Sequence, residues 1–320
     1  MDALTIDRAE RSPAPWLWPG RIPGGRLTLI DAMPGTGKTT IAASIAATVT
    51  TGGQWLDGQA GPTPGAVLWL GYEDDPGVVA GRVEAAGGNP GRVVMVSKGA
   101  GGRPLTLPRD IEQIAEIVRA VQPAIVVIDP IAGFVDLRGT DSSVRAKLIP
   151  IIEIAQQHKF AIIGLRHPTK GAMSSRGPAL YAGGGSIAIA AVARAAMFIA
   201  RDPYGDLVIA SSKSSIAAFP PSMELLIETH DNGHPCLSFV GVSPFKTADE
   251  IVKAVAEGRD PVASREIGTD EQIAVLRAAI DQGRIAGGWQ AEEVAERSGE
   301  SAGDDTQDMQ LTFGGLSGLG

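Results

Sequence analysis

Residues 32 to 39, which read Ala-Met-Pro-Gly-Thr-Gly-Lys-Thr, have types and spacing suited to holding a chain of phosphates. Glycines at 35 and 37 let backbone N–H groups turn toward an anion, and a helix that begins near Lys38 adds its positive dipole end. Lys38 would reach the β- and γ-phosphates of ATP, and the Thr39 hydroxyl would bind Mg²⁺. The run therefore predicts a P-loop, and a Gly-rich turn with only a structural role is the alternative.

The predicted nucleotide-binding residues cover most of this run, and ATP and Mg²⁺ are the expected ligands. They are Pro34, Gly35, Thr36, Gly37, Lys38, Thr39 and Thr40. Ala32 stands where the P-loop signature has its first glycine. This departure affects the expected rate of the reaction more than the assignment of the motif.

A second metal-binding group is predicted at the end of another strand. The apolar run Ala124–Ile128 is followed directly by Asp129, which is the pattern of a Walker B strand. Any parallel strand can end in an aspartate by chance, so the run alone does not identify a metal site. Together with the P-loop it predicts that Thr39 and Asp129 hold Mg²⁺.

Hydrolysis also needs a carboxylate that orients or deprotonates the attacking water. Pro130 follows Asp129, so this group cannot come directly after the Walker B residue. The run 67–72, which is predicted to be a strand, is followed directly by Glu73, Asp74 and Asp75. The two aspartates precede a proline and fit helix capping better, so Glu73 is the favoured base.

The elements that must position these residues follow from hydrophobic periodicity. Apolar strands alternate with helices from residue 26 to residue 165, which indicates a parallel sheet covered on both faces. After residue 200, shorter strands separated by turn residues predict an antiparallel edge. The expected fold class is α/β, a P-loop NTPase core with a mainly parallel sheet flanked by helices and with antiparallel edge strands.

The chain divides into four expected regions. Residues 1–24 are expected to form an arm rich in Pro, Trp and Gly. We expect Trp16 and Trp18 to pack on the domain's own edge, and contact with a partner is the alternative. Residues 25–245 form the ATPase domain, and 246–300 form a small helical segment. Residues 301–320 are polar and Gly-rich, which is typical of a disordered tail.

Composition excludes several classes of protein. The single cysteine, Cys236, cannot form an intramolecular disulfide, and no Cys/His cluster has zinc-site spacing, so the cytoplasm is the expected location. No apolar run reaches about 18 residues, so we expect no membrane span. The formal charge of -8 argues against coating nucleic acid with the whole surface but allows a local basic channel.

Several motifs in order resemble one known family. These are the P-loop, the run Trp69–Asp74, the strand end at Asp129 and Pro130, and the run Gly164–Gly171. They resemble the RecA-like ATPases of the RepA-type plasmid and phage hexameric replicative helicases, AAA-type ATPases, over roughly residues 16 to 230. The resemblance implies that Glu73 is the catalytic glutamate and that His167 senses the γ-phosphate. Pro168 after His167 departs from the family pattern.

The same resemblance assigns two basic residues to the active site. Arg194 would be the arginine that enters the neighbouring subunit's site, and its apolar surroundings suggest burial and therefore an anionic partner. A salt bridge within the chain, for example to Asp202, is the alternative. Lys213 lies where relatives carry a second basic residue near the γ-phosphate, and a solvated loop lysine is the alternative.

Two loops are candidates for contact with single-stranded DNA. The loop 166–185 contains Lys170 and Arg176, and the loop after Asp129 contains Arg138. Both follow strand tips beside the predicted site, as expected of pore loops coupled to ATP state. Ordinary solvated loops would have a similar composition.

These expectations together favour an ATP-dependent DNA helicase or translocase of plasmid or phage replication. It would form a homo-oligomeric ring, most simply a hexamer, with ATP at the subunit interfaces. A RecA-like regulatory or recombination ATPase without unwinding activity is the alternative from a different class. A small-molecule kinase or transferase would need a lid and an acceptor pocket, and no such insertion is evident.

Overall fold

The computed structural model describes residues 15–32, 35–136, 140–167, 178–181, 187–202, 206–243, 245 and 247–256. Four predicted site residues lie outside these ranges, namely Pro34, Arg138, Lys170 and Arg176. Most of the expected helical segment 246–300 and the whole of 301–320 lie outside them as well.

The elements alternate as the hydrophobic pattern predicts in the first half of the chain. In order they are β1 (Trp16–Trp18), β2 (Ile22–Pro23), β3 (Leu27–Ala32), α1 (Lys38–Thr51), β4 (Ala66–Gly71), α2 (Pro76–Ala85), β5 (Val93–Val96), α3 (Ile111–Val121), β6 (Pro123–Asp129), α4 (Ile131–Phe134), α5 (Asp141–His158) and β7 (Ala161–Arg166). Each strand from β3 onward is short and apolar and is followed by a covering helix, which is the arrangement of crossover units.

The second half is richer in strands. It contains α6 (Ile187–Val192), β8 (Ala195–Arg201), β9 (Leu207–Ser214), β10 (Met223–Thr229), β11 (Pro235–Val242) and α7 (Ala248–Ala256). The apolar stretch 187–200 is therefore a helix followed by a strand, with the break at residues 193 and 194. Strand β8 cannot be predicted within this stretch, because an apolar run has no periodicity that distinguishes strand from helix.

A nine-stranded sheet in the described residues has the order β11-β10-β9-β8-β3-β7-β6-β4-β5. Neighbouring strands run parallel from β8 to β5, and β9, β10 and β11 add an antiparallel edge. Helices α1 and α2 pack on one face, and α3, α4, α5 and α6 pack on the other. The expected fold class, an α/β RecA-like core with antiparallel edge strands, is confirmed.

The N-terminal strands are attached to the core by one aromatic and ionic cluster. The rings of Trp18 and Trp55 stack with centroids 4.7 Å apart. The Trp18 indole and the Arg21 guanidinium both donate to Asp57, and both side chains are almost fully buried. Trp18 therefore covers the domain's own edge, as expected, while Trp16 is half-buried.

The hairpin of β10 and β11 reaches across α1 to α2. At its tip the side-chain amide of Asn232 donates to the Gly81 carbonyl at 2.9 Å. Nearer the sheet, Ile227 packs toward Gly37 and so lies against the start of α1. Among the described helices, none combines the length and apolar character needed to cross a membrane.

Candidate active site

Four strand ends place the predicted catalytic residues at one edge of the sheet. Strand β3 leads into the P-loop, and β7, β6 and β4 follow it in that order across the sheet. Because these strands are parallel, their carboxyl ends lie together, and ligands of open α/β sheets bind at such an edge. His167, Asp129 and Glu73 come at, or within two residues of, the ends of β7, β6 and β4.

The centre of the site is a buried contact between the P-loop and the Walker B strand. Lys38 Nζ lies 3.1 Å from Asp129 Oδ1, and the two side chains are only 6% and 4% exposed. The Thr39 hydroxyl donates to Asp129 Oδ2 at 3.3 Å. The structure thus brings together the lysine, hydroxyl and carboxylate that the sequence predicts for phosphate and Mg²⁺.

The outer side of the site is formed by Glu73 and His167, which are about half exposed. Glu73 Oε2 lies 3.9 Å from Lys38 Nζ and 3.9 Å from His167 Nε2. His167 Nε2 is 3.1 Å from Lys38 Nζ. Because an ammonium can only donate, Nε2 accepts this bond, and the proton of a neutral ring is then on Nδ1. A carboxylate and an imidazole therefore face the same ammonium.

The P-loop backbone has the conformation that its glycines permit. Gly35 and Gly37 have φ of 78° and 83°, in the left-handed region that a side chain disfavours. Gly37 is the N-cap of α1, and no side chain caps that helix end. The first N–H groups of α1 are consequently available to an anion. Ala32 ends β3 without a positive φ, so the missing first glycine needs no unusual backbone.

The other two predicted P-loop threonines are buried within the loop and the helix. Thr36 and Thr40 are 8% and 5% exposed. Both belong to the described part of the phosphate-binding run, whereas Pro34 does not.

The two aspartates next to Glu73 have other contacts. Asp74 pairs with Arg82 of α2 at 2.5 Å, so its carboxylate is engaged in an ion pair outside the site. Asp75 is the N-cap residue of α2, although its side chain accepts no capping hydrogen bond. Glu73 is thus the member of this acidic group that contacts Lys38 and His167.

Tyr72 is a member of the site that the sequence analysis did not select. Its ring is half exposed and packs on Phe134 with centroids 5.4 Å apart. Partial burial raises the pKa of the Tyr72 phenol, and the charges of Glu73 and Asp129 raise it further. Gly133 leaves space for the hydroxyl, since a Cβ there would overlap it. The signal in the sequence was an aromatic residue directly before the candidate base.

A buried ion pair behind the site was also missed. Arg166 donates to Asp31 through Nε at 2.6 Å and through Nη2 at 2.7 Å, and both side chains are at most 2% exposed. Burial raises the pKa of the Asp31 carboxyl, and the hydrogen bonds and charge of Arg166 oppose that rise. The detectable signal was a charged residue at the end of each of two apolar strands.

Arg194 is not where its apolar neighbours suggested. It is exposed in the bend between α6 and β8, so the expectation of burial is wrong. Within the described residues it forms no ion pair with Asp202, which follows the other end of β8, about 25 Å away at strand spacing. The Arg194 backbone N–H donates to Leu27 at the start of β3. Arg194 therefore lies at the sheet edge opposite the P-loop of its own chain.

Lys213 lies beside Arg194 at this opposite edge. Its ammonium donates to the Ala190 carbonyl at 2.6 Å, near the end of α6, and so is not a free loop lysine. Partial burial lowers the pKa of Lys213, and the positive charge of Arg194 lowers it further. The structure does not bring Lys213 or Arg194 to the ATP site of the same chain.

A comparison with family models decides the class of the protein. A model described as an AAA domain matches residues 2–173, more than half of the chain. The chain belongs to the AAA domain family. Membership makes it a nucleotide-binding, ATP-hydrolysing protein, and the matched AAA domain includes Lys38, Glu73, Asp129 and His167. The match ends before Arg194 and Lys213. It identifies the AAA domain and does not identify the RepA-type helicases within that family. A comparison with curated proteins gives no match.

The residues of this AAA domain fit the metal that such ATPases use. Mg²⁺ prefers oxygen ligands and is usually held by one or two side chains together with substrate phosphates. Thr39 and Asp129 offer two such oxygens, 3.3 Å apart, at the start of the P-loop helix.

Proposed function

We propose that this AAA domain protein is an ATP-dependent DNA helicase or translocase of plasmid or phage replication, acting as a homo-oligomeric ring, most simply a hexamer. The observation that carries the proposal is the convergence of Asp129, Glu73 and His167 on Lys38, each within hydrogen-bonding or ion-pairing distance of its ammonium. These groups have the types needed to hold a triphosphate and to activate water.

Each residue has a distinct role in the proposed reaction. Lys38 and the first N–H groups of α1 bind the β- and γ-phosphates, and the ammonium stabilises charge that develops on them. Thr39 and Asp129 would hold Mg²⁺, which would neutralise phosphate charge. Glu73 accepts a proton from the attacking water, and its exposure leaves room for that water. His167 contacts the γ-phosphate and reports whether it is present.

The ring is supported by the position of the two basic residues. Arg194 lies beside the start of β3, and the P-loop follows its end, about 17 Å away at strand spacing. Arg194 is exposed and has no ion pair among the described residues, so a neighbouring copy can approach it. We infer that Arg194 completes the adjacent subunit's site and that Lys213 supports it there.

Single-stranded DNA is the proposed substrate because of the resemblance to RepA-type helicases. Arg138, Lys170 and Arg176 are the proposed contacts, and they lie outside the described residues. The formal charge of -8 favours the alternative, a RecA-like regulatory or recombination ATPase that does not unwind DNA. The two functions differ in whether DNA changes the rate of hydrolysis.

The test compares ATP hydrolysis with and without single-stranded DNA, alongside strand separation of a forked duplex. A helicase should be stimulated by DNA and should separate the strands only with hydrolysable ATP. Lys38→Ala protein is the matched control for contaminating ATPases. Hydrolysis that DNA leaves unchanged, with no strand separation, would exclude the helicase and favour the regulatory ATPase.

A further inference from the structure

A charged pair joins the two strands that lead to the P-loop and to His167. Asp31 and Arg166 are register partners on the neighbouring parallel strands β3 and β7. Asp31 comes one residue before Ala32, and Arg166 comes one residue before His167. Two hydrogen bonds of 2.6 and 2.7 Å connect the guanidinium fork to the carboxylate. This pair therefore adds a side-chain link to the backbone pairing of the two strand ends where the site begins.

Stability alone does not account for a pair in this position. Removing two charges from water is costly, and apolar side chains of similar volume often stabilise a buried site as well or better. The planar fork of arginine does, however, impose one geometry on its carboxylate partner. The surrounding strand residues Leu29 and Ile162 are apolar and fully buried, so an apolar pair would fit their environment.

Arg166 acts on the site from the opposite side of the sheet. Alternation along β7 places Arg166 on the same face as Ile162, in the cluster covered by α5 and α6. Helix α1, which carries Lys38, packs on the other face. A third hydrogen bond, from Arg166 Nη2 to the Leu180 carbonyl at 3.1 Å, holds the guanidinium on its own side. Arg166 therefore makes no direct contact with Lys38 across the sheet, and His167, which follows it, is the residue that it can place against that ammonium.

We propose that Arg166, held by Asp31, is a positioning residue that sets His167 opposite Lys38. Its observable consequence is the 3.1 Å contact between His167 Nε2 and Lys38 Nζ. The inference rests on the proposed role of His167 at the γ-phosphate. With the pair removed, the end of β7 is free to shift relative to the P-loop, and His167 no longer meets the phosphate in a productive position.

The experiment removes the charges while keeping the volume, in the double variant Asp31→Leu with Arg166→Met. The turnover number should fall by about tenfold to a hundredfold, since small displacements of positioned groups have effects of that size. The affinity for a non-hydrolysable ATP analogue should change by less than about threefold, and the melting temperature should not fall, because the replacement is apolar and buried. Arg166→Lys, which keeps charge but loses the fork, should show the same split between turnover and binding.

Two comparisons separate positioning from a general structural effect. The double variant Arg21→Met with Asp57→Leu removes another ion pair, which joins the N-terminal strands to the loop after α1, and should leave turnover within about twofold, because neither residue contacts the site. In a His167→Ala background, removing the Asp31 and Arg166 charges should cause no further loss of turnover. Residues that act through one another are non-additive in this way.

The outcomes distinguish this inference from the proposed function. If His167→Ala lowers turnover but the charge-free pair and Arg166→Lys both retain wild-type turnover, the positioning role is wrong and the catalytic role of His167 stands. Equal losses in the wild-type and His167→Ala backgrounds would also overturn it. If His167→Ala itself has full turnover, the role of His167 in the proposed function fails, and the positioning role fails with it.

Discussion

Replacing Glu73 by glutamine should stop hydrolysis while leaving binding and folding almost unchanged. The amide keeps the size of the side chain but cannot accept the proton of water, and positioned general bases contribute about 10²- to 10⁴-fold to rate. This corresponds to about 2.7 to 5.4 kcal/mol of activation free energy, at about 1.36 kcal/mol per factor of ten. The structural cost is small, because Glu73 is 45% exposed and its contacts with Lys38 and His167 are both 3.9 Å long. Exposed ion pairs of this kind contribute about 0 to 1 kcal/mol to stability.

Asp74→Asn is the matched control, because it makes the same chemical change one residue away. Asp74 pairs with Arg82 at 2.5 Å, so its replacement should lower the free energy of unfolding by up to about 1 kcal/mol. Turnover of this variant should remain near wild type. The assay measures steady-state ATP hydrolysis, binding of a fluorescent ATP analogue and chemical unfolding for both variants. Full hydrolysis by Glu73→Gln, or its loss in Asp74→Asn instead, would show that the wrong carboxylate has been assigned.

Three further predictions concern other charges. Lys38→Ala should abolish nucleotide binding or hydrolysis, because the phosphate loses its ammonium partner and the buried Asp129 loses its ion-pair partner. Near-normal turnover of this variant would refute the assignment of the site. Arg194→Ala should hydrolyse poorly alone, and mixing it with Lys38→Ala protein should restore activity at interfaces where an intact P-loop meets an intact Arg194. A mixture no more active than the sum of its parts, in rings that sizing shows to be mixed, would refute that role. The pKa of Asp110 is held well below its ordinary value by hydrogen bonds from Arg103, so its contribution to stability is complete above about pH 4 and is lost as pH falls toward the lowered pKa. Acid unfolding of Asp110→Asn should therefore depend less on pH below 4 than that of the wild type, and equal slopes would contradict the assignment.

The meeting of the candidate site residues at one edge could be predicted because each of them follows an apolar strand. The strand before Glu73 and the strand before Asp129 are continuous runs of buried residues, and parallel strands bring such ends together. The P-loop adds a strict spacing of glycines before Lys38. Local signals thus define the type of each element, and topology then determines which ends meet.

The features that sequence reasoning missed depend on contacts between distant segments. Asp31 and Arg166 are 135 residues apart, and only the order of the strands makes them neighbours. A charge at the end of an apolar strand is equally compatible with solvent exposure, so neither residue indicates its partner. Arg194 shows the opposite error: its apolar neighbours suggested burial, but it lies in a bend where the chain changes from helix to strand.

The P-loop lies at one end of the parallel strands and Arg194 lies at the other. This separation constrains how this AAA domain can stabilise the charge that develops on the phosphate during hydrolysis. Lys38 is the cation that the described residues place beside Asp129 and Glu73, and it is already shared between them. The charge that develops on a transferring phosphoryl group exceeds what one ammonium neutralises well, and arginine supplied from a neighbouring subunit is a common addition. Arg194 is exposed at the opposite end of the parallel strands, where it cannot fold back onto its own P-loop without crossing the length of β3. If Arg194 has the role proposed above, copies stacked with one edge facing the other would bring this guanidinium to a phosphate, and hydrolysis would then be a property of the assembly.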